Sequence, residues 1–448
     1  MLKGLEVSEV RFSELNNEHR IDAEYFSKEN LAGIKRLSEF GTFKIGDIAE
    51  VTDGIHTSID YDENSRVNLI SATSPKENVF DLSRGAFISE KAHAENPRTA
   101  LRKNDVIIST VGTIGNCAVV DDSILPANSD RHVGIVRISN DYSPYVLSTF
   151  LLSKYGRMQT LRESTGNVQL NLFIYKLREL QIPNFSNDFQ QKIESLVKSA
   201  HAKLSESKSL YAQAENTLLC ELGLKDWQPK NEAVSIKTFS DFASSGRLDA
   251  EYYQSKYDEL FEKLAKFDCK MLGDIVSIKK SVEPGSESYK EDGIPFIRVS
   301  DVSKFGIAET DLHLSAKEFN LEALRPHKDT ILFSKDGSIG IAYKCEQELD
   351  IITSGALLHL DVKDSVLPDY LTLILNSIVV RLQAERDSNG AIIQHWKPDD
   401  IKRVIIPILP QEIQKQIAEL IQTSFALRQE SKQLLESAKL AVEAEIER

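Results

Sequence analysis

The sequence predicts an α+β protein: two duplicated globules of mixed α/β structure, separated by two long antiparallel coiled-coil helices. Three observations predict this fold class. Motifs recur along the 448 residues at a nearly constant offset, each half has short β-rich runs behind a helix-like opening, and each half ends in a long proline-free stretch of helical periodicity.

The repeat is visible as matched motifs. Arg20-Ile-Asp-Ala-Glu-Tyr-Phe26 recurs 227 residues later as Arg247-Leu-Asp-Ala-Glu-Tyr-Tyr253, and Gly112-Thr-Ile-Gly115 recurs 225 residues later as Gly337-Ser-Ile-Gly340. Later matches are 224 residues apart. Because the offset drifts by only three positions, we infer a duplication with small loop insertions and deletions. The period far exceeds that of a solenoid repeat, so each copy is a complete unit.

Each copy has the same internal order. Apolar spacing predicts a first helix over Asp22–Phe40 and another from Asp249, with Asp22 and Asp249 as N-caps. Short runs of β-branched residues between turn-forming residues predict the strands Val106–Ser109, Ala118–Val120, Ile331–Ser334 and Ile351–Thr353.

Long amphipathic helices close both copies. Their apolar positions agree at offset 224 and are typical of a coiled-coil seam. We expect the two seams to pack on each other and to form subunit-interface helices; the alternative is that each helix lies on its own globule. The predicted segments are residues 1–185 (first globule), 186–230 (first spacer helix), 231–409 (second globule) and 410–448 (second spacer helix). The seam candidates are Phe189, Ile193, Leu196, Val197, Leu210, Ile413, Ile417, Leu420, Ile421 and Leu434.

Composition excludes several classes of protein. Lys and Arg number 54 against 68 Asp and Glu, a net charge of −14, which excludes a generally basic nucleic-acid binder. No apolar stretch approaches the length of a membrane span, and the acidic N-terminus does not resemble a signal peptide, so we expect a cytoplasmic protein. The four widely spaced cysteines predict reduced thiols and neither a zinc site nor disulfides.

Motifs of catalysis are missing from the sequence. It has no phosphate-binding loop, no dinucleotide-binding glycine motif, no zinc-protease motif and no nucleophile elbow, and its nine histidines are scattered. Asp121-Asp122 and Asp399-Asp400 are typical of turns and helix starts. We therefore predict a binding protein with no catalytic residue, no metal site and no bound cofactor.

Two repeated loops have the chemistry of DNA contacts. Ser109–Asn116 and its counterpart Ser334–Ile341 combine paired glycines with polar groups, and Ser164–Asn171 and its counterpart Asp387–Trp396 carry the amides that suit adenine. A folding role, as a hairpin turn and as a helix cap, is the alternative for each. The basic residues near these loops either form a solvent-exposed surface without a binding role or contact the phosphates of DNA. The candidates are Thr110, Thr113, Asn116, Arg131, Asn167, Gln169, Asn171, Lys279, Lys280, Arg298, Lys335, Ser338, Gln394, His395 and Lys397.

In this order and twice over, the motifs resemble the specificity subunit of type I restriction-modification systems. The resemblance covers essentially the whole chain and includes Gly293-Ile-Pro-Phe-Ile-Arg-Val-Ser-Asp301 and the helix entry Ile406–Ile417. The first copy departs from it, because Asn68–Thr73 lacks the Pro and the Arg of that motif. Contacts of the first globule therefore cannot be copied from the second.

The resemblance implies two target-recognition domains, each reading one half of a split, asymmetric double-stranded DNA sequence. It also implies partners: two copies of an adenine-N6 methyltransferase subunit, which binds S-adenosylmethionine, and a restriction and translocation subunit, which uses ATP and Mg²⁺. Two rivals remain open, a specificity chain of a type IIB or type IIG-like system and a duplicated protein-protein scaffold that does not bind DNA.

The acidic residues are unevenly distributed. Residues 1–230 contain 27 basic and 31 acidic side chains, and residues 231–448 contain 27 and 37. A DNA reader can be acidic when partner subunits supply much of the positive surface around the duplex. We therefore expect weak DNA affinity for the isolated chain and strong affinity for the assembled complex.

Overall fold

The computed structural model describes residues 8–12, 15, 20–83, 85–166, 169–230, 232, 234–363, 366–388 and 394–448, without the side chains of 244 and 245. The chain divides into two compact units. The first unit consists of the described residues of Met1–Ser205 together with Arg428–Arg448, and the second unit is Glu206–Leu427. The four segment boundaries expected from the sequence stay a prediction.

The first half of the chain contains seven helices and eleven strands among its described residues. In chain order these are α1 (Lys28–Phe40), β1 (Thr42–Lys44), α2 (Ile45–Ile48), β2 (Ala49–Asp53), β3 (Val67–Ile70), β4 (Pro75–Lys76), β5 (Val79–Phe80), β6 (Ala86–Ile88), α3 (Glu90–Glu95), β7 (Val106–Ser109), β8 (Cys117–Val119), β9 (Ala127–Ser129), β10 (Val133–Ile138), α4 (Pro144–Leu152), α5 (Lys154–Glu163), α6 (Ile174–Glu179), β11 (Gln181–Pro183) and α7 (Asn187–Glu221).

The second half repeats this order and adds the helix α8 and the strand β14 among its described residues. Its elements are α8 (Phe239–Ser245), α9 (Ser255–Leu264), β12 (Cys269–Met271), α10 (Leu272–Ile275), β13 (Val276–Lys280), β14 (Tyr289–Lys290), β15 (Ile294–Ile297), β16 (Val302–Ser303), β17 (Gly306–Ile307), β18 (His313–Leu314), α11 (Leu321–Leu324), β19 (Ile331–Ser334), β20 (Ala342–Lys344), β21 (Ile352–Thr353), β22 (Leu357–Val362), α12 (Pro368–Leu375), α13 (Ile378–Asp387), α14 (Pro398–Lys402), β23 (Ile405–Pro407) and α15 (Gln411–Glu447).

Both units are built on the same sheets. A four-stranded antiparallel sheet has the order β2-β10-β7-β8 in the first unit and β13-β22-β19-β20 in the second. A smaller sheet in each unit contains one parallel pair, β3 with β9 and β15 with β21. The main core of each unit lies between the four-stranded sheet and the helices that follow it, where Phe150 and Tyr370 are fully buried. The predicted α+β fold with duplicated globules is confirmed.

The opening helices start later than the sequence predicted. Helix α1 begins at Lys28, and its N-cap is Ser27, whose hydroxyl accepts a hydrogen bond from the backbone of Asn30. Asp22 does not cap this helix because its carboxylate is engaged nearby, with the guanidinium of Arg20 at 2.8 Å and the backbone N–H of Tyr25 at 3.0 Å. In the second unit Asp249 precedes a 3₁₀ turn, and α9 begins only at Ser255.

A buried glutamine side chain performs the same task at the start of both long helices. The amide oxygen of Gln190 accepts a hydrogen bond from the backbone of Ser143, and its nitrogen donates to the carbonyl of Phe185. Gln414 makes the equivalent pair of bonds with Leu367 and Leu409. Because both amides are buried, each would leave two polar backbone groups unsatisfied if it were removed. These contacts explain why the glutamine recurs at offset 224.

Each long helix contributes to both units. The first part of α7 and the last part of α15 belong to the first unit. There the hydroxyl of Ser431 donates a hydrogen bond to the carbonyl of Ala200, and Lys203 forms an ion pair with Glu430. Residue numbers rise along one helix as they fall along the other, so the pairing is antiparallel. Within the second unit the hydroxyl of Ser424 donates to the carbonyl of Ser207. Both serines are buried, and their small side chains allow a close approach of the two helices.

The seam positions of the long helices lie within the cores of the units. Ile193 and Val197 join the first core together with Ala438 and Val442, and Ile417 and Ile421 join the second core. The remaining seam candidates, Phe189, Leu196, Leu210, Ile413, Leu420 and Leu434, are half-buried. The stripe thus packs on a globule as well as on the other helix, and both alternatives of the sequence interpretation hold in part. A role of these ten positions in contacts with other subunits stays a prediction.

Candidate nucleic-acid interface

The two glycine-containing loops are hairpin turns of the same conformation. We use the name hairpin turn for Ser109–Asn116, between β7 and β8, and for Ser334–Ile341, between β19 and β20. Gly112 and Gly115 have φ values of 74° and 81°, and Gly337 and Gly340 have 73° and 81°. L side chains rarely adopt these values, so the glycines are needed for the turn itself. The folding role that the sequence left open is therefore real.

In the first unit the hairpin turn lies against the helix-entry loop, the name used here for Ser164–Asn171 before α6. The backbone of Leu172 donates to the carbonyl of Thr110 at 2.8 Å, and Val111 forms a β-bridge with Asn171. The backbone of Thr110 in turn donates to His132, next to Arg131. Three segments that are far apart in sequence therefore meet at one end of the neighbouring strands β7 and β10.

The second unit assembles the equivalent segments. The backbone of Gly337 donates to Gln394 at 2.9 Å, and that of Trp396 donates to Lys335 at 2.8 Å. Lys335 also donates from its backbone to Ala356, the counterpart of His132. Arg298 directly follows β15. The last residue of that strand, Ile297, accepts a hydrogen bond from the backbone N–H of Ser354, two residues before Ala356, so Arg298 lies near these segments. The helix-entry loop of this unit is described only from Gln394 onward.

Several candidates of the first unit are committed to internal contacts. Thr110 is only 5% exposed, the hydroxyl of Thr113 donates to the carbonyl of Ala72, and the amide oxygen of Asn116 accepts from Arg157. The amide of Asn171 donates to the carbonyl of Gln169 at 3.2 Å. The side chains of Gln169 and Arg131 are exposed. Asn167 lies outside the described residues.

The second unit presents a more polar and charged surface. Asp336 lies between two candidates: its carboxylate accepts a hydrogen bond from His395 at 2.8 Å and pairs with Lys335, whose side chain is only 9% exposed. Ser338, Gln394 and Lys397 are exposed. Arg298 is also exposed, and its guanidinium is 3.6 Å from Asp301.

Lys279 and Lys280 are opposite His359 and Leu358 of β22. Both are on β13, where they line a cavity of about 310 Å³ together with Arg325, His327 and His359. Lys279 is 3.1 Å from the carboxylate of Asp361. Burial lowers the pKa of His359 to about 4, so this ring is neutral at pH 7.

Phe173, which directly follows the helix-entry loop of the first unit, is not among the residues predicted from the sequence. At offset 224 it is the counterpart of Lys397, a candidate in the second unit. Its ring is 51% exposed and stacks on that of Tyr175, which is 54% exposed. The predicted contacts are polar or charged and Phe173 is apolar, so the signal in the sequence that points to it is its correspondence with Lys397.

In the part of the chain that the structure describes, no group of His, Cys, Asp and Glu could hold a metal ion. Over the same residues, no helix combines the length and the apolar character that crossing a membrane requires. All four cysteines are free thiols.

Three solved structures illustrate the similarity to known proteins. The type I restriction-modification S subunit from M. genitalium is 15% identical, with 91% of this chain and 94% of that chain covered and a TM-score of 0.40. The HsdS subunit from Thermoanaerobacter tengcongensis is 16% identical, with coverages of 91% and 96% and a TM-score of 0.29. A type IIG restriction endonuclease, BpuSI, is 9% identical, with coverages of 41% and 29% and a TM-score of 0.30. No curated protein matches the sequence.

The family comparison is decisive because it matches both copies of the repeat. The model described as type I restriction modification DNA specificity domain matches residues 38–215 and 265–437. These ranges cover well over half of the chain and contain every hairpin turn and helix-entry loop described above. The chain therefore belongs to the family of type I restriction-modification DNA specificity proteins.

Proposed function

We propose that this chain is the DNA-recognition subunit of a type I restriction-modification complex, and that each unit reads one half of a bipartite, asymmetric double-stranded target. The observation that carries the proposal is that one loop arrangement is built twice with different side chains. The hairpin turn of the first unit has Thr110 and Val111 where that of the second has Lys335 and Asp336. Two DNA-contacting surfaces with different side chains on the same backbone arrangement suit a target whose two halves differ in sequence.

The candidate side chains divide into two groups of contacts. Gln169, Gln394 and His395 are exposed amide or imidazole groups that suit base edges, and Arg131, Arg298 and Lys397 are exposed cations that suit phosphates or guanine. Lys279 and Lys280 would contact the backbone outside this group. The internally bonded side chains of Thr113 and Asn116 hold the turns in place.

The chemistry belongs to partner subunits in this proposal, and the chain itself is not an enzyme. Two copies of an adenine-N6 methyltransferase subunit would bring S-adenosylmethionine, and a restriction and translocation subunit would use ATP and Mg²⁺, in the cytoplasm. Duplication within the chain supports two equivalent docking surfaces for two identical partners. One solved chain with 16% identity comes from a study of complex assembly and conformational transition of the type I R-M system.

Methylome sequencing of cells with and without this gene tests the proposal. We expect a split adenine-methylation motif with two unlike halves that disappears when the gene is deleted. An unchanged methylome in cells that express the methyltransferase subunit would contradict it. Because the chain carries a net charge of −14, we also expect the purified chain to bind DNA weakly and the assembled complex to bind tightly, with a steep dependence on salt.

A further inference from the structure

The entrance to helix α6 in the first unit has an exposed aromatic pair. The rings of Phe173 and Tyr175 are 5.9 Å apart between centroids and nearly parallel, at 17°. About half of each side chain remains accessible to solvent, and Leu170 is 42% exposed three residues earlier. Single exposed apolar residues are common, but a stacked pair beside a candidate binding loop is not explained by surface statistics.

The second unit shows that folding does not call for aromatic rings at these positions. The counterparts of Phe173 and Tyr175 are Lys397 and Asp399, and both are exposed. The same turn and the same short helix form there, since the backbone of Trp396 donates to Lys335 just as that of Leu172 donates to Thr110. A lysine and an aspartate therefore satisfy the turn and the short helix, and in the first unit the ring of Tyr175 also lies 5.7 Å from the ammonium of Lys176.

The position of the pair indicates what it contacts. Phe173 directly follows Leu172, whose backbone is hydrogen-bonded to the hairpin turn, and Asn171, which bridges to Val111. The pair thus lies at the loops that we assign to DNA. In the major groove, an apolar side chain such as Phe distinguishes thymine by contact with its 5-methyl group.

We propose that Phe173 and Tyr175 are specificity-determining residues of the first unit, and that they read thymine in its half-site through the 5-methyl group. This inference rests on the proposed function. It adds a chemical distinction between the half-sites: apolar contact in the first unit, and the charged group of Lys397 at the equivalent position of the second.

The experiment compares methylomes of cells carrying the wild-type chain, the double variant Phe173→Ala/Tyr175→Ala, and the matched variant Lys397→Ala in the other unit. We expect the double variant to relax an A·T position in one half-site only, and Lys397→Ala to relax the other half-site only. If the wild type yields no split motif, the proposed function fails. If it yields one that the double variant leaves unchanged at both halves, this inference alone fails.

A protein partner is the other possible occupant of the pair, and a pull-down of the complex distinguishes the two. Loss of methyltransferase subunits from the double variant would overturn the proposal in favour of protein docking. If the double variant does not fold, uracil serves as the probe, because it lacks the 5-methyl group. Replacing thymine by uracil in the half-site that Lys397→Ala does not affect should weaken binding of the wild-type complex about fourfold per methyl group. Unchanged affinity, or a half-site without thymine, would refute the contact.

Discussion

The first unit has a buried ion pair where the second has a weaker polar arrangement. In the first, the guanidinium of Arg137 on β10 makes two hydrogen bonds, of 2.8 and 2.9 Å, to the carboxylate of Asp105. The hydrogen bond to Asp105 raises the pKa of Arg137. The same two positions in the second unit are Asp361 and Thr330, joined by one hydrogen bond of 2.8 Å. The carboxylate precedes β7 in the first unit and lies on β22, the counterpart of β10, in the second. The order of the strands is the same in both units.

This difference separates what the repeat preserves from what it varies. Some backbone-directed contacts are the same in both units: Gln159 and Gln383 each make two hydrogen bonds to the strand that follows α6 or α14, and Gln190 and Gln414 make equivalent bonds at the start of the long helices. The contact between the side chains of Arg137 and Asp105 differs, although the ion pair of Arg20 with Asp22 recurs as that of Arg247 with Asp249. Because these backbone hydrogen bonds hold the fold of each unit, other side chains can differ between the units. Such differences are needed if the two units recognise different DNA sequences.

Removing the ion pair should give the largest effect. Asp105→Ala leaves the partly buried Arg137 without its carboxylate and removes the acceptor for the backbone of Arg102, so we expect the first unit to lose about 3–5 kcal/mol of stability. The matched variant is Asp361→Ala, whose partners are a hydroxyl and the exposed Lys279, and we expect a loss of about 1 kcal/mol.

Hydrogen exchange measured by mass spectrometry reads the two units separately. Strands β7 and β10 should lose protection in Asp105→Ala, and strands β19 and β22 should lose much less in Asp361→Ala. Equal losses would show that the ion pair in the first unit is no stronger than the arrangement in the second.

The pH dependence of stability should also differ between the units. His359, buried beside the hydroxyl of Thr353, has its pKa lowered to about 4 by burial, while its counterpart in the first unit is the non-titrating Ile135. As pH falls below 6.5 the unfolded chain takes up a proton at His359 and the folded chain does not. This group therefore destabilises the second unit progressively until pH 4, by about 3 kcal/mol in all.

The variant His359→Ile, which installs the residue of the first unit, isolates this group from the other titrations. Asp361, Lys279 and His327 also influence the pKa of His359 and remain in place. Between pH 6.5 and 4.5 the free energy of unfolding of the second unit should fall more steeply in the wild type than in the variant. Parallel curves would mean that His359 is not kept neutral in the folded protein.

The sequence predicted the strands and the long helices well because their signals are local. The predicted strands Val106–Ser109 and Ile331–Ser334 coincide with β7 and β19, and the first spacer helix, expected within residues 186–230, is α7. The start of α1 was wrong because the ion pair of Arg20 with Asp22 competes with capping, and that competition depends on distant contacts such as the hydrogen bond of Arg20 to the carbonyl of Arg162.

The segments that form the candidate site could be predicted from the sequence, but the surface that they form together could not. The repeat identified the hairpin turns and helix-entry loops, but only long-range hydrogen bonds reveal that they adjoin, as between Leu172 and Thr110. Sequence chemistry also could not tell the exposed Gln169 from Thr113, whose hydroxyl is occupied by Ala72. Which polar residue is free to bind depends on tertiary contacts.

The smallest expected effect concerns the cations beside the hairpin turns. Arg131 is exposed, and its guanidinium donates a 3.4 Å hydrogen bond to the ring of His132. Among the described residues it forms no ion pair, so its charge is available to a phosphate. Its counterpart is Gly355, and the second unit places Lys335 on the hairpin turn instead, almost buried against Asp336. A cation that is already paired releases few counterions when DNA binds, whereas an unpaired one contributes about 0.9 to the slope of log affinity against log salt.

In the assembled complex, Arg131→Gln should therefore weaken DNA binding several-fold, equally for cognate and non-cognate duplexes, and reduce the salt slope by about 1. Lys335→Thr, which installs the residue of the first unit, should leave the slope nearly unchanged. Fluorescence anisotropy at several salt concentrations measures both slopes. If the two variants lower the slope equally, Lys335 must exchange Asp336 for a DNA phosphate on binding. Both units would then contact the DNA backbone in the same way despite their different side chains.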